Sequence, residues 1–284
     1  MKAVSKSHIV KNQQLTHLRA ERDVLRQLDN PLIVRMFGSF QDDQCVYFVM
    51  EYVCGGEFFR HLKARGKLPE DMARFYAAEV VLAFEYLHGL DTIYRDLKPE
   101  NLLLDAEGHL KITDFGFAKK ISGKRTYTLC GTPDYLAPEI IMNKGHGKPV
   151  DWWSFGVLLF EMLAGYPPFY DDDITNTYKK ILTGRFLFPA HMSVTSRDLI
   201  RKLLQADLTK RYGGLAGGIG DIKSHPFFKT TDWEAMKHRR MPAPIKPVMK
   251  SLEDTSNFDD YSILPPMQHE FALSKNEQAM FSEF

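Results

Sequence analysis

The stretch from Tyr94 to Glu139 constrains this chain more than any other. It reads YRDLKPENLLL, then ITDFGFAK, then TLCGTPDYLAPE, so acidic, basic and amide side chains recur between short apolar runs. NLLLD and LKITD flank the turn AEGH and predict two paired strands. Asp96, Lys98 and Asn101 then share one loop, and Asp114 ends the strand beside it. Each is unremarkable alone, since isolated acids are mostly solvated residues or caps. Together they supply a carboxylate for an attacking hydroxyl, a cation, and oxygen ligands of the kind that hold Mg²⁺ on phosphates.

The rest of the chain predicts two unequal parts. Leu15, Leu18, Val24, Leu25 and Leu28 have helical spacing within 12–28. LIVRMFGSF and CVYFVMEYV, separated by QDDQ, predict a hairpin, so the first part is one helix against a small antiparallel pair. After Gly55-Gly56 helical patterns dominate. EFFRHLKARG is a short helix, and the segment opened by Pro69, with acids in its first turn, is a long one. WWSFGVLLFEMLAG carries Glu161 and is too short to span a bilayer, so it reads as a buried helix. The expected fold is α+β and bilobal, with a partial small lobe at 1–53, a mostly helical large lobe at 54–228, and a tail at 229–284 that wraps back to the small lobe.

Lys and Arg number 37 against 36 Asp and Glu, so no global charge draws the chain to nucleic acid or anionic membrane. The basic stretch KHRRMPAPIKPVMK, 237–250, lacks interleaved aromatics and reads as lying along the large lobe. Three widely spaced cysteines fit no metal-ligand set and suit a reducing, intracellular setting, here expected to be cytoplasmic and also nuclear.

YRDLKPENLLL, ITDFGFAK, the TLCGTPDYLAPE run and DWWSFG resemble the serine/threonine protein kinases. With NFDDY and the terminal FSEF, the resemblance is to the cyclic-nucleotide- and phospholipid-regulated group, nearest its cyclic-AMP-dependent type. It runs over nearly the whole chain. It implies a transferase that uses ATP and Mg²⁺. Asp96 then positions the substrate hydroxyl and takes its proton late, and Lys98 neutralises the transferring phosphoryl group. Thr132 bonds to Asp96, while Asn101 and Asp114 hold the metals. Phe115 is implied to pack under the small-lobe helix in line with Leu25, Met36 and Tyr94.

Lys2 stands 19 residues before Glu21, which resembles the lysine–glutamate pair that aims an amine at the nucleotide phosphates. The plain alternative is an ordinary terminal lysine and a surface glutamate. Met50, Glu51, Tyr52 and Val53 are implied to form the adenine hinge, with Leu103 and Thr113 below and Phe258 closing from the tail. Glu57 is implied to reach the ribose, and Glu100 counts to both nucleotide and substrate sides.

Glu57, Glu100, Asp134 and Glu161 are the implied acidic set for arginines preceding the target residue. Leu129, Pro133 and Leu136 are the implied lining for an apolar residue after it, giving the target pattern R-R-x-S/T-hydrophobic. Thr128 resembles the activation-loop phosphosite, met by His17, Arg95 and Lys119. Phe281 and Phe284 are expected to dock between the helix and the small-lobe sheet. Implied partners are basic peptide substrates, a cAMP-binding regulatory subunit and a pseudosubstrate-type inhibitor.

The sequence departs from the family in two places. No G-x-G-x-x-G loop precedes Lys2, and the family's acidic run after the tail tyrosine is replaced by YSILPPMQHEF, which predicts weaker arginine recognition. The chain is therefore expected to be a piece of an active kinase, or else a short kinase-like binder of regulatory and inhibitory proteins.

Overall fold

The computed structural model describes residues 1–259 and 271–284. It begins with strand β1 (Lys2–Ser5), helix α1 (Lys6–Lys11) and helix α2 (Leu15–Leu25), followed by strands β2 (Met36–Gln41) and β3 (Cys45–Met50). The sheet order is β1-β3-β2, wholly antiparallel, with Lys2 opposite Phe48 and Ser5 opposite Cys45. Val46 and Phe48 alternate inward from the central strand and are fully buried. On α2, Leu18, Val24 and Leu25 bury one helical stripe and join them in one core with Ile9.

Local patterning alone predicts one helix on a two-stranded hairpin; β1, which carries Lys2, adds the third strand. A hairpin alone is marginal in water, and the third strand with its packed helices supplies the missing apolar face. Helix α1 was not anticipated, because six residues with two adjacent apolar positions carry no readable period.

The larger lobe contains α3 (Phe58–Arg65), α4 (Glu70–Gly89), β4 (Thr92–Ile93), β5 (Leu102–Leu104), β6 (Leu110–Ile112) and β7 (Lys119–Lys120). Then come α5 (Pro138–Ile141), α6 (Pro149–Ala164), α7 (Ile174–Thr183), α8 (Val194–Leu203), α9 (Ile219–Lys223) and α10 (Trp233–Lys237). Every residue of α6 from Val150 to Leu163 is buried, as befits a helix apolar all round, and it packs on both α4 and α8. Gly156 makes that approach possible, since a Cβ there would stand 2.8 Å from the Leu203 Cβ. β5 and β6 form an antiparallel hairpin, β4 pairs antiparallel with the distant β7, and these two strand pairs frame the loop from Arg95 to Asn101.

The segment after α10 lies along the large lobe. Ile245 is buried and its N–H donates to the Tyr76 hydroxyl, while Arg239 pairs with Asp105. The strap reaches the hinge, where Asn257 donates to the Cys54 carbonyl at 3.2 Å and the Tyr52 hydroxyl to the Asp254 carbonyl at 2.8 Å. Gly56 sits at φ +82 beneath Asn257, where a side chain would meet the Asn257 carbonyl oxygen at 2.6 Å. The final helix, α11 (Lys275–Ala279), opens with a capping box between Ser274 and Glu277.

Candidate active site

A cleft of about 820 Å³ lies between the small sheet, the hinge and the β5–β6 hairpin. Lys2, Glu21, Met50, Glu51, Tyr52, Val53, Leu103, Thr113, Asp114 and Phe258 all line it, so ten of the sequence-derived residues meet in one place. Its volume is within the range of nucleotide-sized pockets. Glu57, Glu100 and Asn101 lie outside its lining. Leu25, Val34 and Phe115 were not assigned to it from sequence and form part of its wall. The tail closes one side through Thr255, Ser256 and Phe258, the last 6.0 Å from the Tyr52 ring. Residues 261–270, which include most of the departure YSILPPMQHEF, lie outside the described residues.

At the inner end, Lys2 Nζ is 2.7 Å from Glu21 Oε1 and 3.5 Å from Asp114 Oδ1. Burial pulls the Lys2 amine down, but the two carboxylates outweigh it and its pKa is raised. The amine is thus a fixed cation that points from β1 toward the end of the β5–β6 hairpin.

The loop below is bonded at every functional position. Asp96 is almost wholly buried and accepts Asn101 Nδ2 at 2.7 Å on one oxygen and Thr132 Oγ1 at 3.1 Å on the other. Lys98 Nζ lies 3.2 Å from Asp96 and donates to Thr132 Oγ1 at 3.0 Å. The loop backbone is held by Asp151 at the start of α6, which accepts the Tyr94 and Arg95 amides at 3.0 and 2.8 Å and bonds His88 at 2.7 Å. Arg95 at φ +71 and Asp114 at φ +54 are both in the left-handed region, and each adjoins or is a candidate site residue. The rings of Tyr94 and Phe115 meet edge to face at 5.2 Å and, with buried Leu25 and Met36, connect the loop to α2.

No group of three or more His, Cys, Asp or Glu among the described residues could cage a metal. Mg²⁺ commonly takes one or two protein ligands and completes its shell from phosphates and water. Asn101 commits its amide nitrogen to Asp96, which leaves its oxygen for a cation, and the half-exposed Asp114 carboxylate lies at the cleft.

The acidic set converges electrostatically. Burial raises the Glu161 carboxyl to about 7; the Tyr135 hydroxyl, which donates to it, opposes the shift, and Glu100 and Asp134 add to it. Glu57 is pushed up by burial and then by Asp259 and Glu100. Sequence reasoning missed Tyr135, whose role depends on a contact across 26 residues. Pro133 and Asp134 sit in the same short turn, Pro133–Tyr135, next to buried Leu136, whereas Leu129 is 66% exposed.

His17, Arg95, Lys119 and Thr128 surround a second cavity of about 580 Å³, together with Leu129 and Cys130. A further basic residue, His146, lies almost wholly buried with Nε2 3.5 Å from Arg95 Nη1. Its pKa is lowered to about 4, by burial and then by Arg95, so the imidazole is neutral. Its position after Gly145 carried no sequence signal. At the base of this segment Glu139 and Arg211 form a buried two-pronged pair at 2.6 and 2.9 Å.

The last residues fill the small lobe. Phe281 is fully buried with Lys6 Nζ 5.1 Å from its ring, and Phe284 lies 6.4 Å from Phe48 with the Arg22 guanidinium 4.6 Å above it. Arg19 donates to the Met280 carbonyl and Arg22 to the Glu283 carbonyl, both at 2.6 Å.

A model of the protein kinase domain matches residues 1–228, and the chain belongs to the protein kinase family. Within it, the chain is 46% identical to the human cAMP-dependent protein kinase catalytic subunit PRKX, over 97% of this chain and 78% of that one. It is 52% identical to the cAMP-dependent protein kinase catalytic subunit of Dictyostelium discoideum, over 92% of this chain and 40% of that one. Against cAMP-dependent protein kinase type 3 of Saccharomyces cerevisiae it is 50% identical, over 92% and 66%. Its homology is thus to the catalytic subunits of a serine/threonine kinase, and it spans less than half of the Dictyostelium relative.

Proposed function

We propose that this chain transfers the γ-phosphate of ATP to serine or threonine in peptides of the pattern R-R-x-S/T-hydrophobic. The observation that carries this reading is the bonded set Asp96–Asn101–Thr132–Lys98 beneath a cleft that also holds Lys2, Glu21 and Asp114. Asp96, oriented by Asn101 and Thr132, receives the substrate hydroxyl and accepts its proton as the oxygen attacks phosphorus. Lys98 stands beside that carboxylate, where it offsets negative charge on the transferring group. Lys2 binds the non-transferred phosphates, and Glu21 keeps its amine in place. Asn101 and Asp114 would hold Mg²⁺, which when bound neutralises phosphate charge and aligns the chain of phosphates. Met50 to Val53, Leu103 and Thr113 receive the base, and Phe258 covers it.

Glu161, Asp134, Glu100 and Glu57 form the acceptor for arginines upstream of the target, and Pro133 and Leu136, with Leu129 on the preceding segment, receive the apolar residue after it. Cyclic-AMP-binding regulatory subunits and pseudosubstrate inhibitors would use the same acidic surface. Phosphorylation of Thr128 would draw in His17, Arg95 and Lys119 and so lock α2, the catalytic loop and β7 together. No helix among the described residues is long and apolar enough to cross a membrane, and the partners proposed are proteins. Radiometric transfer from Mg·ATP to an R-R-x-S-hydrophobic peptide, with the lysine-for-arginine peptide as comparison, tests both the activity and the preference.

A further inference from the structure

A second groove, of about 660 Å³, lies far along the large lobe between the end of α7 and one face of α8. Its walls are Leu182, Phe186, Leu187, Phe188 and Leu204, crossed by the guanidinium groups of Arg197 and Arg201. Positions 197 and 201 share one stripe of α8, and Leu204 follows at its C-terminal cap. The opposite stripe, Leu199, Ile200 and Leu203, is buried in the lobe. Among the described residues no carboxylate lines the groove. The nearest acid in sequence, Asp198, is turned away and bonded to Lys202 and His225 at 2.8 and 2.9 Å.

Both arginines are pre-positioned without an anion. Arg197 Nη2 donates to the Pro189 and Ala190 carbonyls at 3.0 and 2.8 Å, which fixes the fork, yet its Nε is buried and has no partner. Arg201 stands 4.8 Å over the Phe188 ring and makes no ion pair among the described residues. Beside them Leu187 is 88% exposed, and Leu182 is exposed as well. Oriented guanidinium groups next to bare leucine are the complement of a segment that alternates carboxylates with large apolar side chains.

We infer that this groove docks an acidic, apolar peptide segment of a partner protein. Carboxylates of the segment take the Arg201 fork and the Nη1 group that Arg197 leaves free of its backbone bonds, and its apolar side chains cover Leu182, Leu187 and Phe186. None of the lining residues belongs to the nucleotide cleft or to the Thr128 cluster, so an occupied groove leaves both open. The charge it selects is opposite to that of the arginine-bearing segments proposed for the acidic surface, and the inference stands without that reading.

The test is fluorescence anisotropy of the intact chain with a labelled peptide that carries Glu-Leu-Asp-Phe-Glu in a Gly-Ser frame. Saturable binding is expected, weakened by about tenfold or more in Leu187→Asp and in Arg201→Glu, and weakened by added salt. Both positions are exposed, and an unchanged melting temperature shows that each variant is folded. Phosphate transfer to a short basic peptide should be the same in wild type and both variants. Three results would each overturn the inference: no saturable binding, equal binding of the Gln-Leu-Asn-Phe-Gln peptide, or binding that ignores both substitutions. Retention by phosphatidylserine vesicles through Arg201, without peptide binding, would reassign the groove to membrane and overturn it too.

Discussion

Lys2 on the first strand and Glu21 on the second helix approach to 2.7 Å, and that contact ties the small sheet to α2 at the inner end of the cleft. A carboxylate that only neutralised the amine could stand anywhere nearby. Here Glu21 is nearly buried, and its ion pair leaves the half-exposed Lys2 amine facing Asp114 as well. Replacing Glu21 by Gln should therefore lower kcat/KM for ATP by about 10–100-fold while most of the fold remains, and Lys2→Met should cost about 100–1,000-fold. Steady-state phosphorylation at varied ATP measures both. Retention of full activity by Lys2→Met would remove the amine from the mechanism.

The Glu161 carboxyl titrates near 7, raised by burial, and this gives a pH signature. Below that value it is protonated and a weak partner for guanidinium; above it, it is a charged one. KM for an arginine-bearing peptide should fall as pH rises from 6 to 8, and Glu161→Gln should flatten the profile. The sign for stability is opposite. Because the folded pKa exceeds the ordinary 4.5, the folded chain holds a proton that the unfolded chain releases. Stability should therefore drop between about pH 4.5 and 7, by up to about 3 kcal/mol for this group. Chemical denaturation of wild type and variant across that window separates the contribution.

Thr128 lines the same cavity as His17, Arg95 and Lys119. A phosphate there adds up to two negative charges and several strong acceptors. Phosphorylated protein should be more active and melt higher than Thr128→Ala. Arg95→Ala should erase the difference between the two states. If phosphorylated and unphosphorylated Arg95→Ala still differ as wild type does, the cluster is not the receiver.

The buried Glu139–Arg211 pair holds the segment that follows the Pro133–Tyr135 turn to the C-terminal half of the lobe. Removing one member leaves an uncompensated buried charge, so Arg211→Ala should destabilise by about 3–5 kcal/mol. Thermal unfolding reads this directly, and a shift close to zero would show that water reaches the site.

The legible parts of this molecule were those encoded locally. Asp96, Lys98, Asn101 and Asp114 could be read because one hairpin and one loop bring them together across 18 residues. Lys2 and Glu21 were legible only through resemblance, since nothing local announces a strand–helix ion pair. The order β1-β3-β2 was not legible, because the pairing of Lys2 with Phe48 is a long-range choice made by packing. Helix α1 was too short to show a period. His146 and Tyr135 look like ordinary residues until the fold sets one against Arg95 and the other against Glu161. The α7–α8 groove was invisible for the same reason, as Arg197 and Arg201 read simply as a charged helix face.

The most direct test of the whole account is phosphate transfer by the Thr128-phosphorylated chain, compared with the same protein carrying Asp96→Ala. Asp96 is buried and accepts two side-chain hydrogen bonds, and it is the residue proposed to take the substrate proton. Wild type should transfer phosphate from Mg·ATP to an R-R-x-S peptide, and Asp96→Ala should lose about 100–10,000-fold with nucleotide binding retained. Equal rates for the two proteins, or no transfer above background by wild type, would contradict it.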